Sequence, residues 1–141
     1  MASNLTPAFA YTVVYVKDVA KSISFYSKAF GYSVRRLDES RRWGELETGQ
    51  TTIAFTPIHQ YETDGRTGTV KPPESSCERQ QVEVCFDYRD VDVAYKRAVE
   101  SGAVPVSQPE MKEWGQKVGY VRDLDGIVIR MGSFVQPPKQ D

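Results

Sequence analysis

The chain reads as an α+β fold built from two β-α-β-β-β modules. Three observations predict it. Two strand-then-helix units occur in the sequence, they superpose at a shift of 72 residues (Tyr11 on Glu83, Asp18 on Asp90, Val19 on Val91), and three short β-like runs follow each. The first strand is expected over 11–16. Val19, Ile23, Tyr26 and Phe30 then recur at helical spacing. Asp18 suits the N-cap, where a carboxylate accepts an unpaired first-turn N–H, and Gly31 suits the position just past the helix end. The β-like runs of this half lie near 32–38, 43–48 and 51–57.

The second half repeats the grammar. A strand over 82–86 is followed by Asp90 as cap, a helical stripe of Val91, Ala94, Tyr95 and Ala98, and Gly102 as terminator. Runs near 104–107, 116–122 and 127–132 complete it. Asp123-Leu124-Asp125-Gly126 reads as a hairpin turn, with Gly126 supplying positive φ. The expected division is one domain over 1–141, with a module at 9–59, a connector at 60–80, a second module at 81–133 and a tail at 134–141. The connector holds Asp64-Gly65, Gly68 and Pro72-Pro73 and reads as a long loop, a feature that is usually functional or mobile. The tail, with Pro137-Pro138, should fray.

Composition narrows the function. Lys plus Arg is 18 and Asp plus Glu is 19, so no global field draws the chain to nucleic acid or an anionic membrane. Arg35, Arg36, Arg41 and Arg42 cluster, but Asp38, Glu39 and Glu45 lie among them, as on a solvated hairpin. No run is apolar enough to span a bilayer, and residues 1–7 lack the pattern of a secretory signal. A cytoplasmic protein is expected. Cys77 and Cys85 are too few for a disulfide framework and lack zinc spacing, and His59 alone cannot build a multi-histidine site.

Strand alternation sorts the side chains into two faces. Val82, Val84 and Phe86, Ile127, Ile129 and Met131, Ile53 and Phe55, and Leu46 fall on a greasy face that should carry the helices. Tyr11, Val13, Trp43, Glu45, Glu47, Ala54, Glu83, Cys85 and Arg130 fall on the other. That mixed face is a reasonable wall for a binding cavity.

These stretches resemble the vicinal oxygen chelate superfamily, which includes glyoxalase I, bleomycin-resistance proteins and extradiol dioxygenases. The resemblance rests on 11–31 with Asp18-Val19, Ser24-Phe25-Tyr26 and Phe30-Gly31, on Trp43-Gly-Glu-Leu-Glu47, on Asp90-Val-Asp92, and on Trp114-Gly-Gln through Tyr120-Val-Arg-Asp-Leu-Asp-Gly126. It covers roughly 9–132 and has a glyoxalase-I-like flavour. It implies cupped mixed sheets with helices on the convex face. It also implies a homodimer, with the modules pairing either within a chain or across the dimer.

Metal-dependent relatives place ligands at positions that correspond here to Tyr11, Ala54, Glu83 and Arg130. Only Glu83 is an ordinary ligand, Ala54 offers no lone pair, and Arg130 brings a fixed cation. No cofactor is therefore expected, with a divalent metal as the alternative. The resemblance implies that Glu83 and Arg130 meet across neighbouring strands. They form either an ion pair replacing a lost metal site, or an anion anchor (Arg130) beside a general base (Glu83). The candidate ligand-binding set is Tyr11, Val13, Trp43, Glu47, Ala54, Glu83, Trp114, Tyr120 and Arg130, with Glu83 catalytic only if the protein is an enzyme. The tryptophans either stack on a ligand or fill the cup. Cys85 reads as a packed small residue and His59 as solvent-facing. Three functions follow: a small-molecule binding protein with a degenerate metal site, a lyase or isomerase related to glyoxalase I, or a structural or regulatory homodimer with a vestigial cavity.

Overall fold

The computed structural model describes residues 5–49 and 51–134. The elements run β1 (Tyr11–Val16), α1 (Val19–Phe30), β2 (Ser33–Leu37), β3 (Gly44–Glu47), β4 (Thr52–Pro57), α2 (Tyr61–Thr67), β5 (Val84–Tyr88), α3 (Val91–Glu100), β6 (Val104–Met111), β7 (Lys117–Arg122) and β8 (Val128–Ser133). They form two four-stranded sheets with matching orders, β1-β4-β3-β2 and β5-β8-β7-β6. In each, the first strand is parallel to the last and the remaining pairs are antiparallel. The two-module α+β fold expected from the repeat is present.

The caps act as the sequence suggests. Asp18 accepts the Lys21 N–H at 3.0 Å and Asp90 accepts that of Val93 at 3.2 Å, each satisfying an otherwise orphaned donor. Gly31 ends α1 at φ 92°, a conformation that costs a residue with a Cβ. All four residues of the α1 stripe are buried.

One apolar core joins the two modules. Tyr26 packs its ring at 4.8 Å from Phe55 of the first sheet and 6.3 Å from Phe86 of the second. Leu46, Phe55, Ile129 and Met131 are fully buried around it, each contributing roughly 1.5–3 kcal/mol by leaving water. Hydrogen bonds cross the same boundary, among them a long one of 3.5 Å from Ser101 Oγ to the Lys28 carbonyl. Tyr26 OH donates to Asp123 Oδ2 at 2.6 Å, the Lys17 N–H to Asp125 Oδ1 at 2.9 Å, and Tyr88 OH to the Phe30 carbonyl at 2.8 Å. The Asp123–Gly126 segment turns as expected, Gly126 having φ 82°.

Three boundaries differ from the sequence reading, each for a local reason. The connector reads as a loop in the sequence, but α2 stands inside it. This helix buries nothing, so it leaves no apolar stripe to detect; Glu62 and Asp64 sit in its first turn and Arg66 pairs with Glu62 one turn back at 3.4 Å. Strand β5 starts at Val84 instead of Val82. The Gln80 side-chain amide takes both the Val128 N–H (3.1 Å) and the Val128 carbonyl (2.8 Å), replacing the backbone that would have extended the ladder. Strand β6 runs on to Met111 through Pro105 and Pro109. It is a sheet edge with register shifts, the place where proline is tolerated.

Candidate functional site

Arg130 on β8 lies opposite Cys85 on β5 and Tyr120 on β7, while Glu83 immediately precedes β5. The Arg130 Nη1 donates to Glu83 Oε1 at 3.4 Å, and Arg79 holds the other carboxylate oxygen at 3.4 Å. The Arg130 and Glu83 side chains are 27% and 29% exposed, so this pair is neither fully hydrated nor deeply desolvated. The Arg130 guanidinium also sits 5.8 Å from the centre of the Trp114 ring, a cation–π distance. Trp114 is itself oriented by its indole N–H, which donates to Gln116 Oε1 at 3.0 Å. The meeting of Glu83 with Arg130 that the resemblance implied is present, and the structure adds Trp114 and Tyr120 as neighbours of Arg130. Cys85 departs from its expected packing. It is exposed, and its thiol lies 3.7 Å from Glu83 Oε1. Partial desolvation and then the Glu83 charge push the thiol pKa up, against a smaller opposing effect of Arg130. It is kept as an unreactive thiol.

The matching face of the first sheet holds a second charged network. Glu45 is buried and accepts the Trp43 indole N–H at 2.7 Å and the Arg35 guanidinium at 2.9 Å. The Trp43 bond and then Arg35 hold its carboxyl below the usual glutamate range, outweighing desolvation. Tyr11 stands edge-on to Trp43 at 6.1 Å. Ala54 is fully buried between Val13 and Glu45 in the ladder, and the proposed Glu47 is exposed at the end of β3. Glu45, not Glu47, is thus the carboxylate of this network. Alternation put Glu45 and Trp43 on one face, but Arg35 was not legible. A bulge between Val34 and Arg36 supplies the extra residue that brings it to Glu45. Gly44 between them is also explained: a Cβ there would lie 2.7 Å from Ile23 of α1.

The four positions that resemble metal-ligand positions do not fit a metal. Both Glu83 oxygens are engaged by arginines, Ala54 has no donor atom, and Tyr11 is turned to Trp43. Among the described residues no group of three His, Cys, Asp or Glu side chains converges. A dication there would also meet the fixed charge of Arg130.

A cavity of about 320 Å³ lies elsewhere, between the free edge of β1 and the approach to β5. Of the nine candidate ligand-binding residues, only Val13 lines it. Of the others, Tyr11, Glu47 and Trp114 are exposed, Trp43, Glu83, Tyr120 and Arg130 are half-buried and Ala54 is buried. His59 is exposed, as expected. No helix among the described residues is long and apolar enough to cross a membrane.

Comparison with known proteins agrees with this architecture. A sequence model of the Glyoxalase/Bleomycin resistance protein/Dioxygenase superfamily matches residues 8–131. An uncharacterized protein of Mycobacterium bovis is 29% identical over 143 aligned positions, covering 100% of this chain and 92% of the relative. Among solved structures, a glyoxalase-related enzyme from Fulvimarina pelagi superposes with a TM-score of 0.73 at 16% identity, covering 92% of this chain and 89% of its own. A glyoxalase/bleomycin resistance protein/dioxygenase family enzyme from Burkholderia phytofirmans gives 0.68 at 20% identity, with 92% and 100% covered.

Proposed function

Because the chain belongs to the Glyoxalase/Bleomycin resistance protein/Dioxygenase superfamily yet carries no fitting metal-ligand set, we propose that it is a small-molecule binding protein that takes an aromatic anion at Arg130 and Trp114. One observation carries this reading. Glu83 engages a single N–H of Arg130, and the remaining guanidinium donors have no protein acceptor among the described residues. A guanidinium offers five donors in a planar fork suited to a carboxylate. The ring of Trp114, 59% exposed, lies beside it as a stacking surface for an aromatic body. Glu83 then acts as a positioning residue that fixes Arg130 in the cup.

The lyase reading needs a free base or a metal. Of the two carboxylates in the candidate set, Glu47 is exposed at the end of β3 and Glu83 is held by two arginines. Binding without turnover is the function this geometry supports. A homodimer and a cytoplasmic location remain part of the proposal, on family precedent and composition respectively.

The test is an amide NMR titration with 2-naphthoate. Saturable shifts at Cys85, Tyr120 and Arg130 are expected, and Arg130→Met should weaken binding far more than it lowers the unfolding midpoint. Naphthoate binding that is unchanged in Arg130→Met refutes the reading.

A further inference from the structure

We propose that the cavity between β1 and the approach to β5 is a second, separate binding site for a small amphipathic monoanion, an apolar chain ending in one carboxylate. Its volume of about 320 Å³ falls at the lower end of the range that accepts small molecules, roughly 300–1,000 Å³. Val13, Val14, Val70, Val82, Val84 and Ile127 make its walls apolar. β1 and β5 are both outer strands of their sheets, and no ladder hydrogen bonds join them across the gap. No backbone ladder therefore closes the gap between β1 and β5.

Charge selects the ligand. Lys71 is the one cation in the lining, and it is in no ion pair among the described residues. The other charge, Asp125, is buried and already accepts the Lys17 N–H. Its carboxylate disfavours a second negative charge on the ligand, so one carboxylate at Lys71 with an apolar remainder is the matching chemistry.

A way in is also built. Residues 69–73 pass over the cavity, with Val70, Lys71, Pro72 and Pro73 in its lining, and make no hydrogen bond among the described residues. They are anchored on one side by the Gly68 N–H on the Asp64 carbonyl and on the other by the Glu74 N–H on Glu78. Two adjacent prolines keep this strap extended and without a donor at either position. Lifting it breaks packing but no hydrogen bond.

The experiment is a two-dimensional amide NMR titration of the full chain with octanoate, and with 1-octanol as the uncharged comparator. Octanoate should shift the amides of Val13, Val70, Lys71 and Val82 saturably. Lys71→Met, a change at an exposed position, should weaken octanoate about threefold to fivefold, the range of a solvent-bordered ion pair, and leave 1-octanol unchanged. Shifts that fail to saturate, or that centre on Cys85 and Arg130, overturn the proposal. So does an equal effect of Lys71→Met on both probes.

Discussion

Arg130 and Glu83, 47 residues apart in sequence, meet at 3.4 Å through one guanidinium nitrogen and one carboxylate oxygen. Arg79 reaches the second oxygen of the same carboxylate, so removing Arg130 does not leave Glu83 unpaired. Arg130→Met should therefore cost only about 1 kcal/mol, well below the 3–5 kcal/mol of a fully buried broken pair. Replacing Glu83 by Leu as well should recover most of the loss. Chemical denaturation of both single variants and the double variant measures the coupling. Strictly additive effects would show that the two side chains do not interact.

Tyr26 and Asp123 form a buried bond between the modules, and the Tyr26 hydroxyl is pushed well above its ordinary range by burial and then by Asp123. Tyr26→Phe should cost about 1–3 kcal/mol, because it withdraws a donor from a desolvated carboxylate. Burial raises the folded pKa of Asp123 against the hydrogen bonds that lower it. The folded state thus holds that proton more tightly than the unfolded one. This group's effect on stability is most favourable below 3.8 and declines as pH rises through the raised value. Asp123→Asn should remove that decline in urea midpoints measured across acid pH. A decline of the same size in the variant would assign it to another group.

Glu45 works with the opposite sign. Its folded pKa is depressed, so its stabilisation is complete above 4.5 and is lost as pH falls below that value through the folded pKa. The stability difference between the natural chain and Glu45→Gln should be largest near neutrality and shrink below about pH 4.5. Urea titrations at neutral pH and in acid check this. A difference that stays constant means that the Trp43 and Arg35 bonds do not favour the ionised form.

Calorimetric titration with zinc or nickel chloride should show no saturable, stoichiometric uptake at the cup. Near-stoichiometric binding that disappears in Glu83→Gln would overturn the reading of Ala54 and Arg130 as incompatible with a metal.

Much of this is legible in the sequence. Period and capping located α1 and α3, and alternation placed Leu46, Phe55, Ile129 and Met131 inward and Glu83 and Arg130 on the opposite face. What escaped depends on contacts distant in sequence or on irregular backbone. The bulge that brings Arg35 to Glu45 has no signature in a run of arginines. The Gln80 amide that stops β5 acts on Val128, 48 residues away. Likewise, Arg79 reads as one more charge in a polar connector until it is seen to hold Glu83. The seam cavity was equally hidden, because its walls come from both modules and from the strap between them.

The strap has one more consequence. Between residues 69 and 73 the chain is tied by no hydrogen bond among the described residues, while the bonds from Tyr26, Lys17 and Tyr88 and a shared aromatic core run between the halves on either side. A protease that severs the strap would separate two polypeptides in covalent terms alone. They would stay together as one folded particle, and the halves produced as independent fragments would be a natural pair for reconstitution by complementation.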